Sequence, residues 1–218
     1  MIDWARARDV MVDNQLRASG VMDWRVLAQM ATVPREVFVA PSRREIAYVD
    51  DIQWFGAPGN SRFMASPATL GKLLQLADIG PGDAVLDVGA CTGYSTAIIA
   101  GLAASVVGLE SDGALAEAAV GNLAQLNITN AAIVSGEVER LGGRQFDVVM
   151  IEGALESVPD AYFAVLKDGG RLVALIRRGA VAVANVYVKT GTSIAARREF
   201  NAQLPLLVAS QPEAEFQF

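Results

Sequence analysis

Histidine is absent from the 218 residues, and cysteine occurs once, at Cys91. The lack of histidine removes Ser-His-Asp and Cys-His catalytic pairs and the usual histidine metal sites. It also removes the side chain whose ordinary pKa suits base work near pH 7, so carboxylates, lysine or tyrosine must carry any proton transfer. Turnover nearly flat between about pH 6 and 8 is the expectation. A lone cysteine leaves no disulfide framework within the chain and no thiolate metal cluster. No stretch offers the apolar length that crosses a bilayer, and "MIDWARARDVMVDNQLR" is too charged for a signal peptide. These absences predict a cytoplasmic protein with no membrane partner. Positive charge is scarce too: 18 Lys and Arg stand against 24 Asp and Glu, a net charge of −6 that argues against nucleic acid as a partner.

What is present reads as a soluble α/β chain, 52% hydrophobic and 19% charged. Residues 3–40 read as helices; Asp23 precedes the apolar-periodic "WRVLAQMATV" and Pro34 closes it. Residues 41–67 hold Pro41, Pro58 and Pro67, two glycines and scattered aromatics. They predict a long irregular segment acting as a lid, with Tyr48, Trp54 and Phe55 as candidate walls or as simple loop packing. A helix, "ATLGKLLQLADI", and the turn "GPGD" follow. Strand-like runs then fall at 84–88, 105–110, 131–134, 146–151 and 171–176, with helical stretches such as 112–126 and 158–166 between them. Alternation of this kind predicts one doubly wound, mostly parallel sheet with helices on both faces. "VAVANVYVKTGTSIAARREFNAQL" predicts a C-terminal antiparallel hairpin turning at residues 189–192. The whole chain, 1–218, reads as a single domain: 1–67 the helical extension and substrate loop, 68–218 the sheet that binds a cofactor.

The stretch "AVLDVGACTGYSTAIIA" passes from strand to helix through a small-residue turn, where a ligand can approach the backbone closely. The turn departs from G-x-G-x-x-G: those positions hold Gly89, Cys91 and Tyr94, so only the first matches the dinucleotide fingerprint. Instead Asp87, Gly89 and Gly93 read D-x-G-x-x-x-G, with no Lys or Arg in 84–103. Acids close three successive strands: Asp87, Glu110 and, in "VSGEVERL", Glu137. Glu110 stands 21 residues after Gly89, placed to accept from a ribose diol, and Glu137 is placed for an adenine amino group. Acids without cations favour a cationic ligand over a pyrophosphate, which points to S-adenosyl-L-methionine. Ala90, Cys91, Tyr94, Ser111 and Gly136 join the candidate cofactor-binding residues. Cys91 is expected to turn its amide to the ligand and to play no catalytic part, since no histidine can activate the thiol, although a nearby helix N-terminus could lower its pKa somewhat.

Several segments resemble the protein-L-isoaspartate O-methyltransferases. "MVDNQLRASGVMDWRVLAQMATVPREVFV" is similar to that family's "MVxxQLxxxGIxDxRVLxAMxxVPRExFV", "AYVDD" to "AYxDxxLPIG", and "VLDVGACTGYSTAIIA" to "VLEIGTGSGYxxAxLA". "VVGLE", "SGE" and "FDVVMIEGALESVPDAYFAVLKDGGRLV" continue the likeness in order through about residue 176. The resemblance implies a Rossmann-like methyltransferase that binds S-adenosyl-L-methionine through Gly89, Gly93, Glu110 and Glu137. It implies methyl transfer to a carboxylate of damaged, isoaspartyl-containing protein or peptide. One departure stands out: where the family has "GQTISQP", this chain has Phe63-Met64-Ala65-Ser66 before Pro67, so the threonine position holds Phe63 and the serine position Ala65. Ser66, one place late, is the candidate catalytic hydroxyl. The departure leaves open methyl transfer to a different acceptor, and a cofactor-binding protein that no longer methylates isoaspartate.

Overall fold

The computed structural model describes residues 2–56 and 62–207. Three helices open with acidic caps. Asp3 accepts from the Arg6 amide before α1 (Trp4–Met11), and Asp23 accepts from the Arg25 amide before α2 (Trp24–Thr32). Asp112 caps α5 (Gly113–Gln125), where its side chain accepts from the amides of Ala114 and Leu115. Such caps satisfy donors that a helix start leaves without partners. Between α1 and α2 the chain makes a π-helical turn, Val12–Arg17.

The predicted irregular segment has more order than its composition suggests. A 3-10 stretch, Pro41–Ile46, leads to a short antiparallel pair, β1 (Gln53–Phe55) and β2 (Arg62–Met64). Residues 57–61 of the predicted lid lie outside the described residues. Tyr48 belongs to packing: its hydroxyl donates to Glu36 and receives Arg8 Nη1 and the Arg35 amide, both at 3.2 Å.

Helix α3 (Pro67–Ala77) then leads into the sheet, with Pro67 at its first turn. The sheet comprises β3 (Ala84–Val88), β4 (Ser105–Glu110), β5 (Ala131–Ser135), β6 (Phe146–Leu155), β7 (Leu166–Arg178), β8 (Val181–Thr190) and β9 (Ser193–Ala202). Helix α4 (Tyr94–Ala100) follows β3, and the short α6 (Asp160–Ala164) follows β6. The strand order is β5-β4-β3-β6-β7-β8-β9; the first five run parallel, and β8 and β9 close the edge as the expected antiparallel hairpin.

Alternate residues of the central strands face opposite layers. Val85, Val148, Met150 and Val173 join α3, α4 and the N-terminal helices in the larger core. Leu86, Val88, Val149, Ile151 and Leu172 face the smaller one with Tyr162 and Leu166. Strand order reverses at β3, so the crevice beyond the carboxyl ends of β3 and β4 is where a doubly wound sheet binds its ligand.

Candidate cofactor site

Three residues of the turn after β3 take left-handed backbone: Gly89 (φ +84°), Cys91 (φ +51°) and Gly93 (φ +92°). At Gly93 a Cβ would lie 3.2 Å from the Ala119 Cβ, so the absence of a side chain lets α5 pack against the turn. The amides of Gly89 and Ala90 donate to the Leu109 carbonyl at 2.9 and 3.2 Å, which ties the turn to the end of β4.

Glu110 ends β4 and is fully buried. Its Oε2 accepts from the Cys91 amide at 2.7 Å and from Arg62 Nη2 at 2.9 Å, while Oε1 accepts from the Asp112 amide at 2.9 Å. The Cys91 amide is thus turned onto Glu110, which corrects the expectation that it faces a ligand. The thiol is buried, and desolvation together with the Glu110 charge pushes its pKa up, away from a nucleophilic thiolate.

Beside Glu110 opens a cavity of about 340 Å³. Gly89, Ser111, Gly136 and Glu137 line it, together with Arg62 and Glu139. Its apolar walls include Val138, Leu155, Pro159 and Tyr162. Of the predicted site residues, these four reach the cavity; Glu110 does not line it, although its partner Arg62 and its neighbours Leu109 and Ser111 do. Ala90 and Cys91 belong to the turn and Tyr94 opens α4; none of the three lines the cavity. Trp54 and Phe55 are not among its walls: Trp54 is half exposed and packs on Phe63, with ring centroids 5.6 Å apart.

Asp87 lies deeper, fully buried, and accepts from Ser95 Oγ at 2.8 Å and Thr96 Oγ1 at 2.6 Å. It braces the start of α4 from below. Burial raises its pKa to about 6; the two hydroxyls oppose that rise and the Glu110 charge adds to it. Nearby stands Glu152, 4% exposed, on β6 where the register with β7 shifts between Met150 and Ala154. Its Oε1 has no hydrogen-bond partner, and burial, then the charge of Asp87, raises its pKa well above the usual carboxyl range, with Arg35 opposing. Arg35, fully buried, donates to the carbonyls of Ala47 and Ala65 at 2.8 and 2.7 Å and stacks over the Tyr94 ring at 4.7 Å.

Ser66 sits half-buried just before α3, its hydroxyl donating to Thr69 Oγ1 at 3.1 Å, and it does not line the cavity. Phe63 and Leu207 meet over Gly153, where a Cβ would lie 3.1 Å from Phe63 Cζ and 2.9 Å from Leu207 Cβ. Leu207 is anchored by its amide, which donates to the Ala154 carbonyl at 2.8 Å. The sequence reading missed Arg62, Glu152, Tyr162 and Leu207. Glu152 carries a signal in hindsight: a charged residue ending the apolar run "VVMI". Arg62 carries none, being 48 residues from its partner with no shared motif.

The features that suit an adenosyl cofactor are therefore a buried acid beside a glycine floor and apolar walls with two further acids. Among the described residues no group of three metal-ligating side chains occurs, and no helix is long and apolar enough to cross a membrane. The family model for "Protein-L-isoaspartate(D-aspartate) O-methyltransferase (PCMT)" matches residues 6–206. A protein-L-isoaspartate O-methyltransferase of Koribacter versatilis is 38% identical over 170 residues, 77% of this chain and 74% of that one. A solved protein-L-isoaspartate O-methyltransferase superposes with a TM-score of 0.79 at 21% identity, over 91% of this chain and 65% of that one. A putative one from Plasmodium falciparum, solved with S-adenosyl-L-homocysteine, gives 0.77 at 21% identity over 93% and 98%. The chain belongs to the protein-L-isoaspartate(D-aspartate) O-methyltransferase family.

Proposed function

We propose that the protein is an S-adenosyl-L-methionine-dependent O-methyltransferase acting on a carboxylate of isoaspartyl residues in proteins or peptides. The observation that carries the reading is Glu110, buried at the end of β4 beside the left-handed Gly89 floor. Glu110 would hold the ribose diol and Gly89 would pass beneath the sulfonium arm. Ser111, Gly136 and Glu137 would line the adenosyl end, with Val138, Pro159 and Tyr162 against the base. The cofactor supplies a methyl group made electrophilic by its sulfonium. The acceptor carboxylate is already ionised at neutral pH, which suits a chain without histidine. The protein's part is then positioning, which contributes up to about 7–11 kcal/mol in favourable systems. Phe63 and Leu207, packed over Gly153 near the end of β6, would help to exclude water there. In this reading the enzyme works in the cytoplasm without a nucleic-acid partner; the net charge of −6 supports the latter, and among the described residues no helix is long and apolar enough to cross a membrane.

A second reading, transfer to a different acceptor, draws on the buried Glu152 and on Phe63 and Ala65 in place of hydroxyls. The test joins calorimetry with S-adenosylhomocysteine to labelled methyl transfer onto an isoaspartyl peptide. Glu110→Ala is expected to weaken S-adenosylhomocysteine about ten- to a hundredfold, the loss of hydrogen bonds to a charged group. Tight NAD binding, or no effect of the substitution, refutes the cofactor assignment. Transfer to other acceptors but not to the peptide selects the second reading.

A further inference from the structure

An ionised carboxylate offers about four lone-pair sites. On Glu110 the Cys91 amide, the Asp112 amide and the Arg62 guanidinium take three of them. A ribose diol brings two more donors. The two amides are fixed, one in the turn after β3 and the other at the start of α5. The guanidinium is the exchangeable donor: a long side chain on β2, a three-residue strand outside the main sheet.

Its position sharpens the conflict. Arg62 lines the cavity, and its Nη2 lies 3.6 Å from where a Gly89 Cβ would stand. The group that pairs with Glu110 thus also overlies the glycine floor. Beside it Leu207 Cδ1 comes within 2.8 Å of the same point. Arg62 and Glu110 are nearly or fully buried, so the pair is little screened by solvent. We infer that Arg62 sets cofactor affinity by competing with the ribose hydroxyls for Glu110, the guanidinium moving off the carboxylate as the diol arrives. The inference rests on the cofactor reading given above.

The probe is S-adenosylhomocysteine, titrated calorimetrically into wild type, Arg62→Met and Arg62→Lys. Removing the competitor leaves Glu110 open to the diol, so Arg62→Met is expected to bind about ten- to a hundredfold more tightly. Arg62→Lys, which keeps the charge on a single donor group, is expected to gain less. Equal or weaker binding by Arg62→Met overturns the inference and leaves the cofactor reading intact. Absence of binding by every variant overturns both. Because Arg62→Met strands a buried charge and risks misfolding, the wild type supplies a second readout. Its Arg62 Nε–H resonance is expected to shift at saturation with S-adenosylhomocysteine, and a resonance that stays in place overturns the exchange.

Discussion

Two buried carboxyls below the cavity make the stability of this protein depend on pH in an unusual direction. Asp87 titrates near pH 6 in the folded chain against an ordinary value of 3.8. A group whose folded pKa is raised binds its proton more tightly in the native state. Its penalty is absent below the unfolded pKa and grows as pH climbs through the folded one. For Asp87 the loss amounts to about 2.4 kcal/mol between pH 4 and 7. Glu152, raised by burial and by the charge of Asp87, adds to it in the same direction. Asp23 and Asp147 have lowered pKa values, so their stabilisation is lost only as pH falls below about 4. The window from pH 4.5 to 7.5 therefore isolates the buried pair. Urea unfolding across that window is expected to place maximum stability near pH 5, with a fall by pH 7.5 of about 1.4 kcal/mol from Asp87 and more with Glu152. Glu152→Gln, which keeps the shape and removes one charge, is expected to flatten the fall and to exceed wild type at pH 7.5. Wild-type stability that is level or rising from pH 5 to 7.5, or a Glu152→Gln slope equal to wild type, refutes the reasoning.

That behaviour also marks where the sequence stopped being legible. The strands at 84–88 and 105–110, the glycine turn and the C-terminal hairpin were readable because each is a local pattern, an apolar run ended by an acid or by turn residues. The ends of β6 and β7 extend past the expected 151 and 176 to Leu155 and Arg178, since pairing with β8 and with Pro205 and Leu207 orders them. Cys91 could be read as unreactive, but not the direction of its amide, which is set by the path of the turn and by Glu110 at the end of β4. Composition predicted pH-independent chemistry from the lack of histidine. Yet a carboxyl near pH 6 arises from burial, and burial of Asp87 depends on where α4 lands. Arg62 on Glu110 was invisible for the same reason: two chain segments meet only through the fold.

The remaining predictions probe the turn and the altered loop. Gly89→Ala forces a side chain onto φ +84° and drives its Cβ to 2.8 Å from Leu207, so a loss of about 1–3 kcal/mol in thermal unfolding is expected; an unchanged midpoint refutes it. Cys91 is expected to resist a thiol reagent in the native protein and to react only on unfolding, so native labelling at the rate of a free thiol contradicts its burial. The altered loop gives the most informative case. Phe63 is buried against Trp54 and over Gly153, and Ala65 is buried with its carbonyl held by Arg35. The hydroxyls of the family's motif are thus replaced by packing, and the neighbouring Ser66 hydroxyl donates to Thr69. Wild-type transfer to an isoaspartyl peptide is therefore expected to be slow, with S-adenosylhomocysteine binding intact. Phe63→Thr with Ala65→Ser is expected to raise the rate while lowering the unfolding midpoint, since truncating a buried phenylalanine costs several kcal/mol, about 3–5 for full removal to alanine. Labelled methyl transfer on wild type, Ser66→Ala and the double variant decides it. Fast wild-type turnover, unchanged in Ser66→Ala, would show that the missing hydroxyls do not limit the chemistry, and the positioning would then have to come from Glu152 and Arg35.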